Sequence, residues 1–201
     1  MLENYSMLVV GAVFFLKEAI CKGWNVAGID PSEESIDYCK NVLGVSTASK
    51  GTLTNADTEM HFDVITIINV LDHVSKPWLD IGKVQTMLKS EGILYLRFSN
   101  GALHSTILNF FQIMKIENSI IKFLVFHEYS FTPKFIKRLL IDSGFFKIKI
   151  RNARLSGGTI VNRILKKIVE VVATSLFIAS AGRILLGPSL EVIAKKQKES
   201  I

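Results

Sequence analysis

The sequence predicts a doubly wound α/β fold, a parallel or mostly parallel sheet with helices on both faces. Three observations carry this. Strand-type and helix-type segments alternate along the chain with short loops between them. Residues 62–69 form a β-branched, almost wholly apolar run, the pattern of a strand covered on both sides. The chain has 201 residues, 49% hydrophobic and 21% charged, which suits one domain with a sizeable core.

The elements follow in order. Residues 7–10 read as a short buried strand, with Gly11 after it. A helix near residues 14–22 stops at Gly23, a residue suited to the left-handed position past a helix end. Residues 25–29 read as the second strand, ending at Asp30. Asp30-Pro31 then reads as a helix start. Proline suits the first helical position, and Glu33 and Glu34 sit where the helix dipole favours negative charge. That helix is expected to reach about Val42, before Gly44. Residues 45–49 give a weak third strand and residues 62–69 the fourth. Pro77 opens a helix with Trp78, Ile81, Val84 and Leu88 on one apolar stripe, ended by Gly92. Residues 93–98 form the next strand. Thr132-Pro133 pairs an N-cap with a first-turn proline, and Phe135, Ile136, Leu139 and Leu140 are expected to face inward. Ser143-Gly144 stops that helix. Residues 145–151 alternate apolar and basic, and residues 190–194 form the last strand. No short crossover helix joins these two, so an antiparallel hairpin with a long insert at the sheet edge is expected.

Composition excludes several classes. Two cysteines, Cys21 and Cys39, rule out a disulfide scaffold and a four-cysteine zinc site, and they read as reduced thiols of a cytoplasmic protein. Four scattered histidines have no metal-ligand spacing, so no metal is expected. The most apolar stretch, residues 171–182, is too short to span a bilayer and is bracketed by Glu170 and Arg183. The apolar run at residues 7–16 follows Glu3 rather than a basic residue and lacks a small-x-small cleavage site, so it is not read as a signal peptide. There is no repeat, no Ser–His–Asp pattern and no phosphate-cradling loop with its lysine.

Charge is divided along the chain. Residues 1–100 carry 8 Lys+Arg against 12 Asp+Glu, a net of −4, and residues 101–201 carry 16 against 6, a net of +10. The second half also holds two apolar inserts, residues 101–127 and 152–188, within what reads as one domain over residues 1–201. In the second insert, Ile160, Val161, Ile164, Leu165, Ile168, Val169 and Val172 make an apolar stripe opposite Asn162, Arg163, Lys166, Lys167 and Glu170. This is either a helix packed on the sheet or a basic amphipathic helix meeting an anionic membrane or a lipid-linked ligand. Nucleic acid is not expected, because the basic residues lie among aliphatics rather than stacking aromatics.

In open α/β sheets ligands sit beyond the carboxyl ends of the strands, where strand order reverses. The first strand ends at Gly11 and the second at Asp30, a spacing that lets a carboxylate accept bonds from a ribose diol. Asp30 would serve equally as the N-cap of the helix after it.

At these positions the chain resembles class I S-adenosylmethionine-dependent methyltransferases. The segment from Gly23 to Ser32 resembles their second strand, and Gly51-Thr52-Leu53 their third-strand loop. Phe62-Asp63-Val64-Ile65 through Asn69-Val70-Leu71-Asp72-His73-Val74 is similar to their fourth strand and its loop. Leu88-Lys89-Ser90-Glu91-Gly92-Ile93-Leu94 is similar to their next turn. The segment from His127 to Pro133, Ser143-Gly144-Phe145 and the last strand complete the series. The resemblance implies a seven-stranded sheet with an antiparallel C-terminal hairpin and S-adenosylmethionine as methyl donor. It implies that Gly11 and Ala12 approach the methionine half, Asp30 the ribose and Leu53 the adenine, with Asn69 and Val70 lining the methionine and sulfonium.

Where the family's first loop is acidic-x-Gly-x-Gly-x-Gly, this chain reads Val9-Val10-Gly11-Ala12-Val13, and two of the three glycines are gone. That departure keeps open a second reading, a non-catalytic relative serving as a binding or scaffold domain. A third, a nicotinamide-binding domain, shares the Asp30 argument but leaves the segment from Leu71 to Val74 unexplained. For catalysis, His73 just past the fourth strand is the expected general base for an acceptor hydroxyl, with Asp72 beside it and His127 as a lesser candidate. The expected reaction is O-methylation of a small-molecule or lipid-linked acceptor.

Overall fold

A computed structural model of the chain describes residues 5–11, 13–56, 59–113, 129–154, 160–182 and 184–198. A seven-stranded sheet runs through it in the order β3-β2-β1-β4-β5-β7-β6. The strands are β1 (Ser6–Val10), β2 (Asn25–Asp30), β3 (Ala48–Lys50), β4 (Phe62–Ile68), β5 (Leu88–Ser99), β6 (Phe145–Asn152) and β7 (Ser189–Lys196). The helices are α1 (Val13–Cys21), α2 (Glu33–Asn41), α3 (Pro77–Met87), α4 (Gly101–Ile113), α5 (Pro133–Asp142) and α6 (Ile160–Ala179), with a one-turn 3₁₀ helix at Leu71–His73. β1 pairs in parallel with both β2 and β4, so strand order reverses at the centre of the sheet. β7 lies between β5 and β6 and is antiparallel to both. The doubly wound sheet and the antiparallel hairpin are as expected.

Two apolar clusters pad the two faces. On one face Met7 and Val9 pack with Leu16 and Ala19 of α1 and Ile36 and Cys39 of α2. On the other, Leu8, Ile65, Ile67, Leu94 and Leu96 pack with Ile81 and Val84 of α3 and Ile136 and Leu140 of α5. Burial holds the Cys39 thiol above its ordinary pKa, and the nearby Asp30 carboxylate adds to this. Full burial of each large aliphatic contributes about 1.5–3 kcal/mol.

Four local expectations are corrected. The N-cap of α2 is Ser32, whose hydroxyl accepts from the Ser35 N–H at 3.3 Å, and α2 starts at Glu33. Asp30 instead accepts from the Ser32 N–H at 2.8 Å, forming an Asx-type turn one step earlier. Trp78 is 49% exposed, because the buried side of α3 runs through Pro77, Asp80, Ile81 and Val84. Phe135 is also 49% exposed; its ring stacks on Phe131 at 5.8 Å, and Phe131 stacks on Tyr129. Leu88 belongs to β5 rather than to the helix, since it pairs with Phe62 before the register shifts around Glu91 and Gly92.

The first insert contributes α4, whose start is pinned by Asn100 and Gly101. A Cβ on Gly101 would collide with the Ser130 backbone, so only glycine lets the two segments pass. His127 and the rest of residues 114–128 lie outside the described residues. The second insert contributes α6. The side chains of Ile160, Val161, Ile164, Leu165, Ile168 and Val169 also lie outside the described residues, and Val172 is 52% exposed rather than packed. Ala173 is the buried contact of α6, beside the Asn152 amide that donates to its carbonyl at 3.2 Å. Among the described residues no helix is long and apolar enough to cross a membrane, and no group of side chains is arranged to hold a metal.

Candidate functional site

A groove of about 400 Å³ opens beyond the carboxyl ends of β2, β3 and β4. Three segments wall it. Pro31 follows β2. Gly51, Thr52, Leu53, Thr54 and Asn55 follow β3. Val70, Leu71, His73 and Val74 follow β4, with Leu79 and Asp80 of α3 behind them. This is the location expected for a ligand where strand order reverses. The wall is mainly apolar, with Leu53, Ile67 and Leu71 buried.

The sequence-expected residues divide between this groove and its rim. Leu53, Val70 and His73 line it together. Asp30 lies at the edge, its backbone carbonyl accepting from the Gly51 N–H at 3.1 Å. One of its carboxylate oxygens is taken by Ser32; a carboxylate has a second oxygen able to accept. Asn69 is exposed, takes the left-handed conformation at φ 54° and does not line the groove. Asparagine tolerates that conformation, and its N–H donates to the Arg97 carbonyl at 2.8 Å. Ala12 lies outside the described residues.

Gly11 has φ 75°, and a Cβ there would run into Val70 Cγ2. The glycine is therefore required by the Val70 side chain itself. Its N–H donates to the Ile29 carbonyl at 3.3 Å, which ties the end of β1 to β2. The recess beside Gly11 and Asp30 holds only about 10 Å³, no more than the space one water needs.

His73 ends the 3₁₀ turn, with its N–H donating to the Val70 carbonyl at 2.9 Å. Its side chain is half-exposed on the groove wall, and Nε2 lies 4.0 Å from Oδ1 of the fully buried Asp72. The other Asp72 oxygen accepts from the Ser99 N–H at 3.3 Å, which fixes the carboxylate against β5. An imidazole on the groove wall with a buried carboxylate behind it has the composition of a general-base pair.

Sequence reading missed Asp80. It is 3% exposed and accepts from the Thr54 hydroxyl at 2.6 Å, which locks the β3 loop against α3. Its signal was present, an acid on the apolar side of the Pro77 helix, one residue before Ile81.

The residues present fit the adenosine part of S-adenosylmethionine. An apolar slot beside Leu53 and Leu71 suits a purine, and Asp30, the residue before Pro31 of the groove wall, is a carboxylate able to bond a ribose diol. Beside Gly11, the Val70 side chain occupies the space a Cβ would take.

Comparison with known proteins bears on the family and the fold. The family model for a methyltransferase domain matches residues 12–149. No curated protein matches the chain in sequence. Among solved structures, a SAM-dependent methyltransferase from Archaeoglobus fulgidus superposes with a TM-score of 0.62 at 20% identity, covering 97% of this chain and 88% of that one. The plantazolicin methyltransferase BamL, solved with a desmethyl substrate analogue and SAH, gives 0.61 at 19% identity, covering 96% and 77%. Magnesium protoporphyrin IX methyltransferase from Synechocystis, with bound SAH, gives 0.60 at 16% identity, covering 98% and 76%. These likenesses establish a shared fold.

Proposed function

The chain belongs to the methyltransferase-domain family, and from that premise we propose that it transfers a methyl group from S-adenosylmethionine to an oxygen of a small-molecule or lipid-linked acceptor, with His73 as general base. The observation that carries this reading is the half-exposed His73 on the groove wall, backed by the buried Asp72 carboxylate. The bound donor supplies an already activated methyl on a sulfonium centre. What remains for the protein is alignment and the removal of one proton. Leu53, Leu71 and Val74 would seat the base of the donor, Asp30 its ribose, and Gly11 and Val70 the methionine end. His73 would accept the acceptor's hydroxyl proton on the ring nitrogen that does not face Asp72, the carboxylate lying on the Nε2 side. His73→Ala is expected to lower kcat by about 10²–10⁴ while weakening S-adenosylhomocysteine less than Asp30→Ala does.

Calorimetric titration with S-adenosylhomocysteine tests the donor assignment. Binding that Asp30→Ala weakens supports it; no heat at millimolar ligand refutes it. That second outcome would favour a non-catalytic binding domain, a reading supported by the loss of two of the first loop's three glycines and by the packing of Val70 on Gly11.

We propose a cytoplasmic protein with peripheral contact to anionic membranes. Its support is the exposed apolar set Val171, Val172, Leu176 and Ile178 on α6 in the strongly basic half of the chain. Salt-sensitive flotation with anionic but not neutral liposomes is the expected result, and its absence would refute the contact.

A further inference from the structure

A second cavity, of about 800 Å³, lies on the β5–β7–β6 side of the sheet, under α6. It shares no lining residue with the groove. Its floor is a row of cross-strand neighbours. Arg97 on β5 is in register with Glu191 on β7, and Glu191 is in register with Arg151 on β6. Arg154 joins them just past β6, and Tyr95 lies two residues before Arg97 on β5. Phe177 and Ile178 of α6, with Pro188, form the apolar side.

The charges do not balance. Among the described residues Glu191 is the one acid lining the cavity, and its side chain is 12% exposed. Its two oxygens are occupied, one by the Arg151 guanidinium and the other by the Tyr95 hydroxyl at 2.8 Å. Arg97 donates from Nη2 only to the Arg154 carbonyl at 3.1 Å, and its covered Nε has no hydrogen-bond partner. Neither Arg97 nor Arg154 has an acid partner among the described residues. The Nε of Arg97 is covered while the rest of its guanidinium is open to the cavity, where a ligand's oxygens can reach it. Burial, reinforced by the bond to Glu191, pushes the Tyr95 phenol up to about 12. Tyr95 therefore stays protonated and keeps Glu191 engaged, so Glu191 is not released to neutralise Arg97.

Two guanidiniums without acids, facing a cavity with an apolar wall, match one kind of ligand. Planar guanidinium forks bind phosphate oxygens in pairs, and a hydrocarbon body would cover Phe177 and Ile178. We propose that this cleft is a second ligand site, taking a phosphate monoester with an apolar body, held by Arg97 and Arg154 at the phosphate and by α6 along its hydrocarbon. The site does not depend on methyl transfer.

The test titrates the full chain with hexyl phosphate, inorganic phosphate and hexanol by calorimetry. Hexyl phosphate is expected to bind at least about tenfold more tightly than either of the others, because only it engages both walls. Arg97→Gln and Arg154→Gln are each expected to weaken it by about tenfold to hundredfold. Arg97→Lys is expected to weaken it too, since an ammonium has no fork. Arg154 is exposed, so its variant guards against a folding defect at Arg97, which a thermal melt of both variants checks. Co-sedimentation with phosphatidylcholine vesicles containing phosphatidic acid separates the sources. Sedimentation that Arg97→Gln abolishes assigns the phosphate to a lipid headgroup; hexyl phosphate binding without sedimentation assigns it to a free ester. No heat with hexyl phosphate at millimolar concentration, or affinity unchanged in both glutamine variants, overturns the proposal.

Discussion

The groove beyond β2, β3 and β4 is walled by Leu53, Ile67, Leu71, Val74 and Leu79, whereas the cleft under α6 is floored by Arg97, Arg151 and Glu191. The groove is assembled from loops that are close in sequence, at residues 51–55 and 67–80. The cleft is assembled from three strands whose contributing residues lie far apart in the chain and meet only through pairing with β7. The contrast teaches that one sheet can carry two recognition chemistries. Shape and apolar area dominate at the switch point, and charge dominates on the antiparallel side. Ligands of the first should be nearly indifferent to salt, and ligands of the second should weaken as salt rises.

Four changes would break or sharpen that contrast. Ile65→Ala, in the fully buried centre of β4, is expected to cost about 2–5 kcal/mol in a urea titration. It should lower the stability of groove and cleft together in one transition; separate transitions would show two independent units. Asn100→Ala is next. Asn100 is fully buried, and its amide donates to the carbonyls of Leu185 at 3.0 Å and Gly187 at 2.8 Å. Its loss should cost about 1–3 kcal/mol and speed hydrogen exchange in residues 185–187, the cleft side, while leaving the groove loops protected.

Gly11→Ala is expected to cost about 1–2 kcal/mol for the left-handed backbone alone, with a further steric part against Val70. Val70→Ala in the same chain should recover the steric part, and a double-mutant cycle reads that coupling. Cleft ligands should bind unchanged. The smallest effect is Tyr95→Phe, which concerns the cleft alone. The folded phenol is pushed from 10.0 to about 12, so the folded chain holds its proton more tightly than the unfolded one. Its contribution to stability is present below pH 10 and is lost as pH rises from there to about 12. A tyrosinate absorbance titration should show one late step in the parent that Tyr95→Phe removes.

Much of the architecture was legible because it rests on local pattern. The alternation of elements, the two-sided burial of β4 and the hairpin of β6 with β7 all follow from residues within one element or its flanks. Errors fell where a neighbour decides. Trp78 and Phe135 sit on helices at apolar spacing, yet each is half-exposed, because neighbouring positions of the same helix face the core. Asp30 and Ser32 both have capping side chains, and only the backbone course shows that Ser32 caps the helix. In the groove, His73 was placed by its position past the fourth strand, and Leu53 and Val70 by the family resemblance. Asp80 was not, because its partner Thr54 sits on another segment. Alternation on β6 marked Arg151 as basic, but nothing in the chain order told that Glu191 would stand between it and Arg97.

The place of β7 has a consequence for how the chain assembles. β7 is the last strand in sequence, yet it fills an interior position between β5 and β6. Until it arrives, β5 is an open edge on an otherwise completed parallel block, and β6 has no partner in the sheet. Both are exposed to pairing with other chains during that interval. The closing step also has the longest reach in sequence, joining Phe98 to Leu190, so it should be the slow one. A chain halted before residue 189 would leave β6 loose and β5 unguarded, a form more prone to aggregate than to fold.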